Sequence, residues 1–503
     1  MKQSRLLKSM LSVSGVLILV KGLGFIKQMV IAAAFGANTG TDLINLSYGF
    51  ISDAQYLLIQ VMLTAVVSVY IHIKGRDENE AGRFASDTFQ VSTILTIILS
   101  ALICLLAPWI ARFLAPTYSP ELSSQLGGYI RLFSPILIPL VWMAVCHALL
   151  NANKRFVPGQ LEGLYQSVIL IAVIVLGSEA LGVDALTAGY WLYVAVSAGI
   201  LGWQARRYFG KRCGNPFRNP HIQQLLRMTA PLLIGYGAVY INQMVDKILV
   251  SGLESGTVTA MSYAAVLSNL VGTLIGSLCS VLYAHVTEHI SKGNEQAVSQ
   301  LTERAALVLV ILLLPVTVVA VSQAEYLVQL VYGRGAFDEN AAAMTVQALS
   351  GYSLSFIPLA LREIYSRIQY GYQDSKRPTI NSLIGIAFNI VLSILLCPRL
   401  GVFGVTLASS AATLVIGILN MYSARRDAPF LTFGLLRRAL PFLAAGGSLS
   451  VLVALECRNW FGAFPVFFRL CASSACVFLV CFLILSPFLK KSGLFSRKHT
   501  QKE

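Results

Sequence analysis

Charged residues are scarce in this 503-residue chain, at 12% of the sequence, whereas hydrophobic residues make up 56% and the mean hydropathy is +0.70. This balance excludes an ordinary soluble enzyme and is typical of a polytopic membrane protein. Acidic residues are the scarcer charge, with 23 Asp and Glu against 38 Lys and Arg. The basic residues lie in short loops and not in one soluble domain, so the net charge of +15 does not indicate nucleic-acid binding.

Sequence motifs for catalysis and for metal binding are nearly absent, since the HxxEH pattern at 285–289 lies at the cytoplasmic end of the eighth span with no third ligand evident nearby and is interpreted as a polar helix end. The nine cysteines are scattered and form no CxxC pair, which argues against a disulfide framework or a zinc ribbon. The sequence contains no Walker motif, GxSxG elbow or paired-carboxylate site. We therefore expect a protein that is not an enzyme, with no cofactor, no metal site and no nucleic-acid partner.

Long hydrophobic runs are what the chain has in abundance, and runs of about 20 residues predict fourteen transmembrane helices. The predicted spans are 9–35, 43–72, 87–114, 126–151, 160–178, 184–204, 228–251, 258–284, 304–322, 341–370, 379–397, 402–423, 439–456 and 467–489. Most Lys and Arg residues fall on one side of the membrane if the N-terminus is cytoplasmic, so the positive-inside rule predicts that both termini are cytoplasmic.

An internal duplication is indicated by two separate features. Gly36, Gly40 and Thr41 recur at an offset of 216 residues, and the basic helix break that ends at Pro158 recurs at Pro378, an offset of 220. Six spans in each copy give both copies the same orientation. We predict an all-α polytopic membrane protein with two six-helix lobes in a parallel pseudo-repeat, at 1–212 and 213–430, followed by two extra transmembrane helices and a cytoplasmic tail at 431–503.

Two lysines stand inside the first span, where charge is costly. On a helical wheel Lys21, Gly24 and Lys27 share one arc of roughly 120°. Each ammonium group costs about 2.5–3.5 kcal/mol at the bilayer centre. Such a cost is tolerable where the helix face lines water or meets an anion, and glycine lets a neighbouring helix approach. Two interpretations stay open, a cationic pocket within the membrane and lysines that snorkel to the interface.

Three further groups of polar residues within the spans have open interpretations. Asp246 and Lys247 are adjacent, and either they form an ion site or they simply approach the outer interface. Glu363 and Arg367 are spaced i, i+4, which favours a structural ion pair over a cavity lining. His147 is a lone intramembrane histidine, for which a packing role is favoured over a proton relay.

Three sequence blocks carry a resemblance to a known family. They are LGFIKQMVIAAAFGANTGTD at 23–42, YGRGAFDENA at 332–341 and YQDSKRP at 372–378. At these residues the chain resembles the MurJ-type lipid II flippases, in the superfamily that also holds polysaccharide-unit flippases and multidrug exporters. The resemblance implies an inverted-V transporter of two lobes around a cationic cavity, with an apolar groove for a polyprenyl tail along the last two helices.

The resemblance also implies a set of substrate-binding positions. The family's functional positions fall on Lys21, Lys27, Asp42 and Gln55 of this chain. The family usually has arginine where this chain has the two lysines, and it also carries arginine at the positions of Gln55 and Val266. Lysine and glutamine cannot reproduce the bidentate phosphate contacts of a guanidinium group.

A sodium site occurs in some members of the family, between the seventh, eleventh and twelfth helices. The matching positions here are Asp246, Asn389, Ser393, Val405 and Ser409. Ser393 replaces an acid, which leaves one anionic ligand for a hard cation. A sodium ion and the membrane potential therefore both stay open as the driving force.

The function that follows is translocation of an undecaprenyl-pyrophosphate-linked saccharide, lipid II or a similar cell-wall precursor, from the cytoplasmic to the outer leaflet by alternating access. A flippase for exopolysaccharide or capsule repeat units is the alternative, and a multidrug exporter of the same superfamily is less favoured. We expect a monomeric multi-pass protein of the bacterial inner membrane. Its expected partners are the lipid-linked saccharide and proteins of cell-wall or polysaccharide synthesis.

Overall fold

A computed structural model of the chain describes residues 2–211, 214–461 and 464–492. The 493–503 part of the expected cytoplasmic tail lies outside these residues. Every long element in the described residues is an α-helix, as the sequence predicts. The helices are α1 (Lys2–Phe35), α2 (Thr39–Lys74), α3 (Glu78–Leu114), α4 (Pro120–Phe133), α5 (Leu137–Ala152), α6 (Val157–Gln160), α7 (Glu162–Leu181), α8 (Asp184–Ala205), α9 (Pro220–Ser251), α10 (Thr257–Ser291), α11 (Glu295–Ser322), α12 (Ala324–Tyr332), α13 (Glu339–Ser353), α14 (Phe356–Gly371), α15 (Lys376–Asp427), α16 (Gly434–Trp460) and α17 (Val466–Ser492).

The predicted transmembrane spans all fall on helices. In the described part of the chain, eleven helical segments are long and apolar enough to cross a membrane. One of them, α15, contains two predicted spans. They are separated at Gly401, where the backbone leaves the helical region (φ 57°, ψ −141°). The first and seventh predicted spans fall on α1 and α9. The helical membrane fold is therefore confirmed, and fourteen is an approximate count.

Polar caps fix where several helices begin. Asn38 accepts a hydrogen bond from the backbone N–H of Thr41 at 3.1 Å, and the Thr41 hydroxyl is bonded in return to the backbone N–H of Asn38. Asp77, Asn219 and Asn294 cap α3, α9 and α11 in a similar way. Each cap satisfies a backbone donor that has no partner within its helix.

The chain forms two compact units. The first comprises Met1–Thr259 with Arg334–Asp338, and the second comprises Ala260–Gly333 with Glu339–Glu503. In the first unit, a core of α2, α3 and α5 side chains surrounds Phe84. In the second, a core of α11 and α14 surrounds Tyr365. The lobe boundaries drawn from the sequence follow the repeat and not these contacts, and they stay a prediction.

One structural detail has a repeat offset seen in the sequence, and a second lies within the two recurring helix breaks. The hydroxyl groups of Thr39 and Ser255, which are 216 residues apart, hydrogen-bond each other at 2.6 Å. Among the described residues, left-handed backbone outside glycine occurs at Lys154 (φ 60°) and Gln373 (φ 61°). Both of these residues lie in the basic helix breaks that recur between the copies. Left-handed backbone therefore occurs in both helix breaks, whereas the two turns differ, since Gly36 has φ of +63° and Gly252 has φ of −80°.

The two extra C-terminal helices, α16 and α17, belong to the second unit and pack on α11. The Glu303 carboxylate on α11 accepts hydrogen bonds from the backbone N–H of Leu435, at 2.6 Å, and from the Thr432 hydroxyl, at 3.0 Å. This carboxylate caps the start of α16, where the helix dipole favours negative charge. Leu443 and Phe488 then pack with α11 in a shared apolar cluster.

Candidate functional site

The lysine pair of α1 differs in environment between its two members. Lys27 is partly buried, and its Nζ donates to Oε1 of Gln166 on α7 at 3.3 Å. Lys21 is exposed. A Cβ at Gly24 would lie 3.9 Å from Oγ of Ser167, so α7 packs closely on this face of α1. In the described part of the chain neither lysine forms an ion pair, which leaves both charges available to an anion.

A carboxylate lies one helical turn from the Gln166 that holds Lys27. Glu162 Oε1 accepts a hydrogen bond from Gln55 Nε2 at 2.9 Å and from the Tyr193 hydroxyl at 2.9 Å. Gln55 and Tyr193 are buried on α2 and α8. Gln55, a predicted substrate-binding residue, therefore holds a glutamate in this structure.

The depth of this carboxylate follows from the length of α2. At ~1.5 Å rise per residue, Gln55 lies about 24 Å along the helix from Thr39 and about 28 Å from Lys74. Lys74 marks a polar end of α2, where its Nζ donates to Oδ1 of Asn153 at 2.5 Å. Glu162 therefore lies near the middle of the membrane-spanning part of the first unit, although it is the first residue of α7.

Aromatic rings complete the surroundings. Gln166 Nε2 donates to the hydroxyl of Tyr48 at 3.4 Å, and the Tyr48 ring stacks on Tyr190 with centroids 3.6 Å apart. We call the whole set the mid-membrane polar layer. Its members come from α1, α2, α7 and α8, and they are Lys27, Tyr48, Gln55, Glu162, Gln166, Tyr190 and Tyr193.

Lys247 on α9 forms an ion pair with Asp53 on α2. A Cβ at Gly49 would lie 2.9 Å from Lys247 Nζ, so the glycine, one turn before Asp53, leaves room for the ammonium group. Both charges are partly buried and neutralise each other. Lys247 is therefore part of an ion pair between α2 and α9, and the ion-site and outer-interface interpretations of Asp246 and Lys247 both stay predictions.

Asp42 lies at the start of α2 and caps a helix far away in sequence. Its carboxylate accepts hydrogen bonds from the backbone N–H of Gly256 at 2.7 Å, and from the backbone N–H and hydroxyl of Thr259 at 2.8 and 2.7 Å. Asp42 is only 2% exposed. The negative charge sits at the N-terminus of α10, where the helix dipole favours it. The predicted role of Asp42 in substrate binding stays a prediction.

Substitution of Asp42 by asparagine is expected to loosen the start of α10. The amide keeps one acceptor oxygen but loses the charge, which is worth about 1–2 kcal/mol for such bonds. Backbone amide exchange at residues 256–259 should therefore become roughly tenfold faster in hydrogen–deuterium exchange. Asn45→Ala, which removes only the neutral bond from Asn45 to Thr259, is the control and should change exchange less. Equal exchange in Asp42→Asn and wild type would contradict the capping role.

Two of the blocks that carry the family resemblance interlock in the first unit. The backbone N–H of Ala336 donates to the carbonyl oxygen of Ala33 at 2.8 Å. A Cβ at Gly335 would lie 2.1 Å from that same oxygen, and a Cβ at Gly36 would lie 2.2 Å from the carbonyl oxygen of Ala336. Both glycines have left-handed backbone, with φ of +65° and +63°. The glycines of the two blocks are thus required by backbone-to-backbone contact.

The predicted ion-site residues are all placed within helices. Asp246 on α9 is buried in the first unit. In the second unit, Ser393 Oγ donates to Oδ1 of Asn389 at 3.4 Å, and Ser409 Oγ donates to the carbonyl oxygen of Val405 at 3.3 Å. Ion binding by these residues stays a prediction.

The remaining polar groups are explained by packing. Arg367 and Glu363 form the predicted ion pair at 3.4 Å, which is confirmed. His147 is 7% exposed, and neither ring nitrogen has a hydrogen-bond partner among the described residues. A Cβ at Gly159 would lie 2.1 Å from Nε2 of His147, so the imidazole fills the space of a missing side chain. This arrangement favours the packing interpretation.

Sequence reasoning missed Glu162 and Gln166. Both lie in the predicted span 160–178, where Glu162 looks like an acidic residue at the polar start of a helix. The available signal was the break after Ala152, followed by the short helix α6, which raises the start of α7 into the membrane. The spacing of residues within α7 does not reveal how deep Glu162 lies in the membrane, because that depth depends on how α7 packs against α2.

Comparison with known proteins agrees with this architecture. The family model described as Lipid II flippase MurJ matches residues 31–482. A probable lipid II flippase MurJ of Rhizobium meliloti is 24% identical over 92% of this chain and 88% of that protein. One from Synechocystis is 23% identical over 86% of this chain and 84% of that protein.

Solved structures show the same fold. A lipid II flippase MurJ in an inward closed conformation has a TM-score of 0.79 at 19% identity, over 96% of this chain and 99% of that one. An inward-facing multidrug resistance MATE transporter of the MOP superfamily has a TM-score of 0.67 at 14% identity, over 82% and 94% of the two chains. Because the family model covers most of the sequence, this multi-pass membrane protein belongs to the MurJ family of lipid II flippases.

Proposed function

We propose that this protein is a flippase that carries lipid II from the cytoplasmic to the outer leaflet by alternating access. The proposal depends on the environment of Lys27. Its ammonium group lies in the mid-membrane polar layer, and its hydrogen-bond partner is the neutral amide of Gln166 and not a carboxylate. A lysine at this depth costs about 2.5–3.5 kcal/mol. A pyrophosphate group would offset that cost with a charge-assisted hydrogen bond.

The family relationship narrows the substrate. The relatives named as probable lipid II flippases match nearly the whole chain, and the three sequence blocks of the family are present. The apolar part of a lipid substrate has a matching surface in the second unit, a cavity of about 430 Å³ between α14, α15 and α16. Leu361, Met421 and Leu440 line it, and Arg437 supplies a cation there.

The energy for transport has to come from outside the chain, because no nucleotide-binding motif is present in the sequence. A sodium ion bound near Asp246 and the membrane potential are the two candidates. One charge that crosses 100 mV is worth about 2.3 kcal/mol. We further propose that the protein is not an enzyme, that it acts as a monomer in the bacterial inner membrane with both termini cytoplasmic, and that it works beside cell-wall synthesis proteins.

Complementation tests the substrate directly. Expression of this chain in a bacterium depleted of its own lipid II flippase should restore growth and cell shape. Growth requires that the protein reaches the membrane, so its level there must be measured in parallel. A well-expressed, membrane-inserted protein that fails to restore growth would contradict lipid II as the substrate and would favour an exopolysaccharide unit.

A further inference from the structure

Glu162 differs from Asp53 and Asp42 of the first unit in the kind of partner it has. Asp53 is neutralised by Lys247, and Asp42 is held at the N-terminus of α10. Glu162 is held by the amide of Gln55 and the hydroxyl of Tyr193, both of them neutral. An ionisable residue at this depth is costly without a charged partner, and such residues mark ion or proton pathways.

Charges of both signs surround this carboxylate. From α1 the nearest cation is Lys27, which reaches Gln166 one turn along α7 from Glu162, and Lys21 lies six residues before it on the exposed side. From α2 come Tyr48 and the neutralised Asp53. From α8 come two tyrosines, Tyr190 and Tyr193. Without substrate, the ammonium group of Lys27 and the carboxylate of Glu162 therefore balance each other within the layer.

A pyrophosphate bound at Lys27 would upset this balance. The ligand brings negative charge into the same layer, where a low dielectric constant strengthens the repulsion between like charges. Protonation of Glu162 removes that repulsion. We propose that Glu162 is a proton-binding site that is filled when a lipid-linked pyrophosphate binds at Lys27, an inference that rests on the proposed function.

The partners of Glu162 suit both protonation states. Toward the carboxylate, the Gln55 amide and the Tyr193 hydroxyl both donate. Both donate to the same oxygen, Oε1, so a proton added to Oε2 leaves Oε1 as a carbonyl oxygen that can still accept both hydrogen bonds. One O–H bond forms on the carboxylate as one O–H bond of a hydronium ion breaks, the buffer replaces that proton, and no change of oxidation state occurs. A lysine or arginine at position 55 would instead fix the carboxylate in its ionised form.

The direction of the pH dependence follows from this linkage. Anion binding favours the protonated form of Glu162, so binding takes up a proton and is strongest at low pH. Affinity should fall about tenfold per pH unit while the pH rises through the interval in which the free protein has lost this proton and the complex keeps it. Above that interval, Glu162 is ionised both in the free protein and in the complex, so its titration no longer changes the affinity with pH.

Isothermal titration calorimetry of the purified full chain in detergent micelles tests the proposal, with undecaprenyl pyrophosphate as the probe. Titrations in buffers with different ionisation enthalpies give the number of protons taken up. Wild type should take up close to one proton more than Glu162→Gln. Glu162→Gln, which mimics the protonated side chain, should bind at high pH about as tightly as wild type does at low pH. Pyrophosphate itself titrates near neutral pH, and this contribution is common to both proteins.

A second variant protects the test against a folding defect. Gln55→Arg should keep Glu162 ionised, so it should lose the proton uptake although it adds a cation to the layer. Thermal unfolding of each variant in detergent shows whether it is folded. Equal proton uptake in wild type and Glu162→Gln, with tight binding in both, would overturn the proton site and leave the proposed function standing. Absence of binding in all three proteins would overturn the anion site and the proton site together.

Discussion

Lys27→Gln is expected to lower the affinity for a lipid-linked pyrophosphate by roughly ten- to a hundredfold, because a charge-assisted hydrogen bond of about 1.5–3 kcal/mol is lost. Glutamine is one atom shorter than lysine, but it stays polar and can donate a hydrogen bond toward Gln166, so the helix packing between α1 and α7 should be retained. Binding of undecaprenyl pyrophosphate to the purified protein measures the effect. Flipping in cells should fall with it while the protein level stays unchanged.

Two further variants make this result interpretable. Lys27→Arg keeps the charge and adds a planar fork of donors, so it should retain or improve binding. Lys21→Gln removes the exposed lysine and should have the smaller effect of the two glutamine variants, because an exposed side chain is less fixed in position than Lys27, which bonds to Gln166. If the lysines only snorkel to the interface, Lys27→Gln should bind the lipid as wild type does and should instead change membrane insertion. Equal affinities would therefore remove Lys27 from the anion site.

The helices of this fold were predictable from the sequence because their signal is local. A run of about 20 apolar residues needs no knowledge of its neighbours to be assigned to a membrane. The arc shared by Lys21, Gly24 and Lys27 was equally local, since helical periodicity alone defines it. The arc does not predict that Lys27 is partly buried whereas Lys21 is exposed. The partial burial of Lys27 depends on Gln166, which is 139 residues away in sequence.

The contacts that define the candidate site escaped prediction for the same reason. The sequence alone shows Asp42 only as an acid in an outer turn. In the structure it accepts hydrogen bonds from Gly256 and Thr259, which lie 214 and 217 positions away in sequence. Glu162 reads as a helix start, and its depth appears only when α7 is placed against Gln55 of α2. A single sequence does not show which distant residues form hydrogen bonds with one another. The glycines of its blocks, in contrast, mark positions where two backbones come into close contact.

Those glycines allow a test of how strictly backbone contact limits the sequence. Gly335→Ala combines two costs. An alanine with φ near +65° is strained by about 1–2 kcal/mol, and its Cβ would lie 2.1 Å from the carbonyl oxygen of Ala33. Because that contact is with backbone, no side-chain rotation relieves it, and the hydrogen bond from Ala336 to Ala33 must lengthen or break. We expect a total loss of about 3 kcal/mol or more.

A second glycine separates these two costs. Gly293, between α10 and α11, has φ of +67°, and a Cβ there would meet nothing within 4 Å. Gly293→Ala therefore carries the conformational strain without the clash, and it should lower stability by only about 1–2 kcal/mol. The thermal unfolding midpoint in detergent and the amount of protein in the membrane compare the variants. Gly335→Ala should show the far larger loss and should fail in the complementation assay, since the segment Arg334–Asp338 could no longer pack on α1 within the first unit. If the two variants unfold at the same temperature, left-handed backbone alone explains the glycine at 335 and the proposed docking contact is not needed for stability.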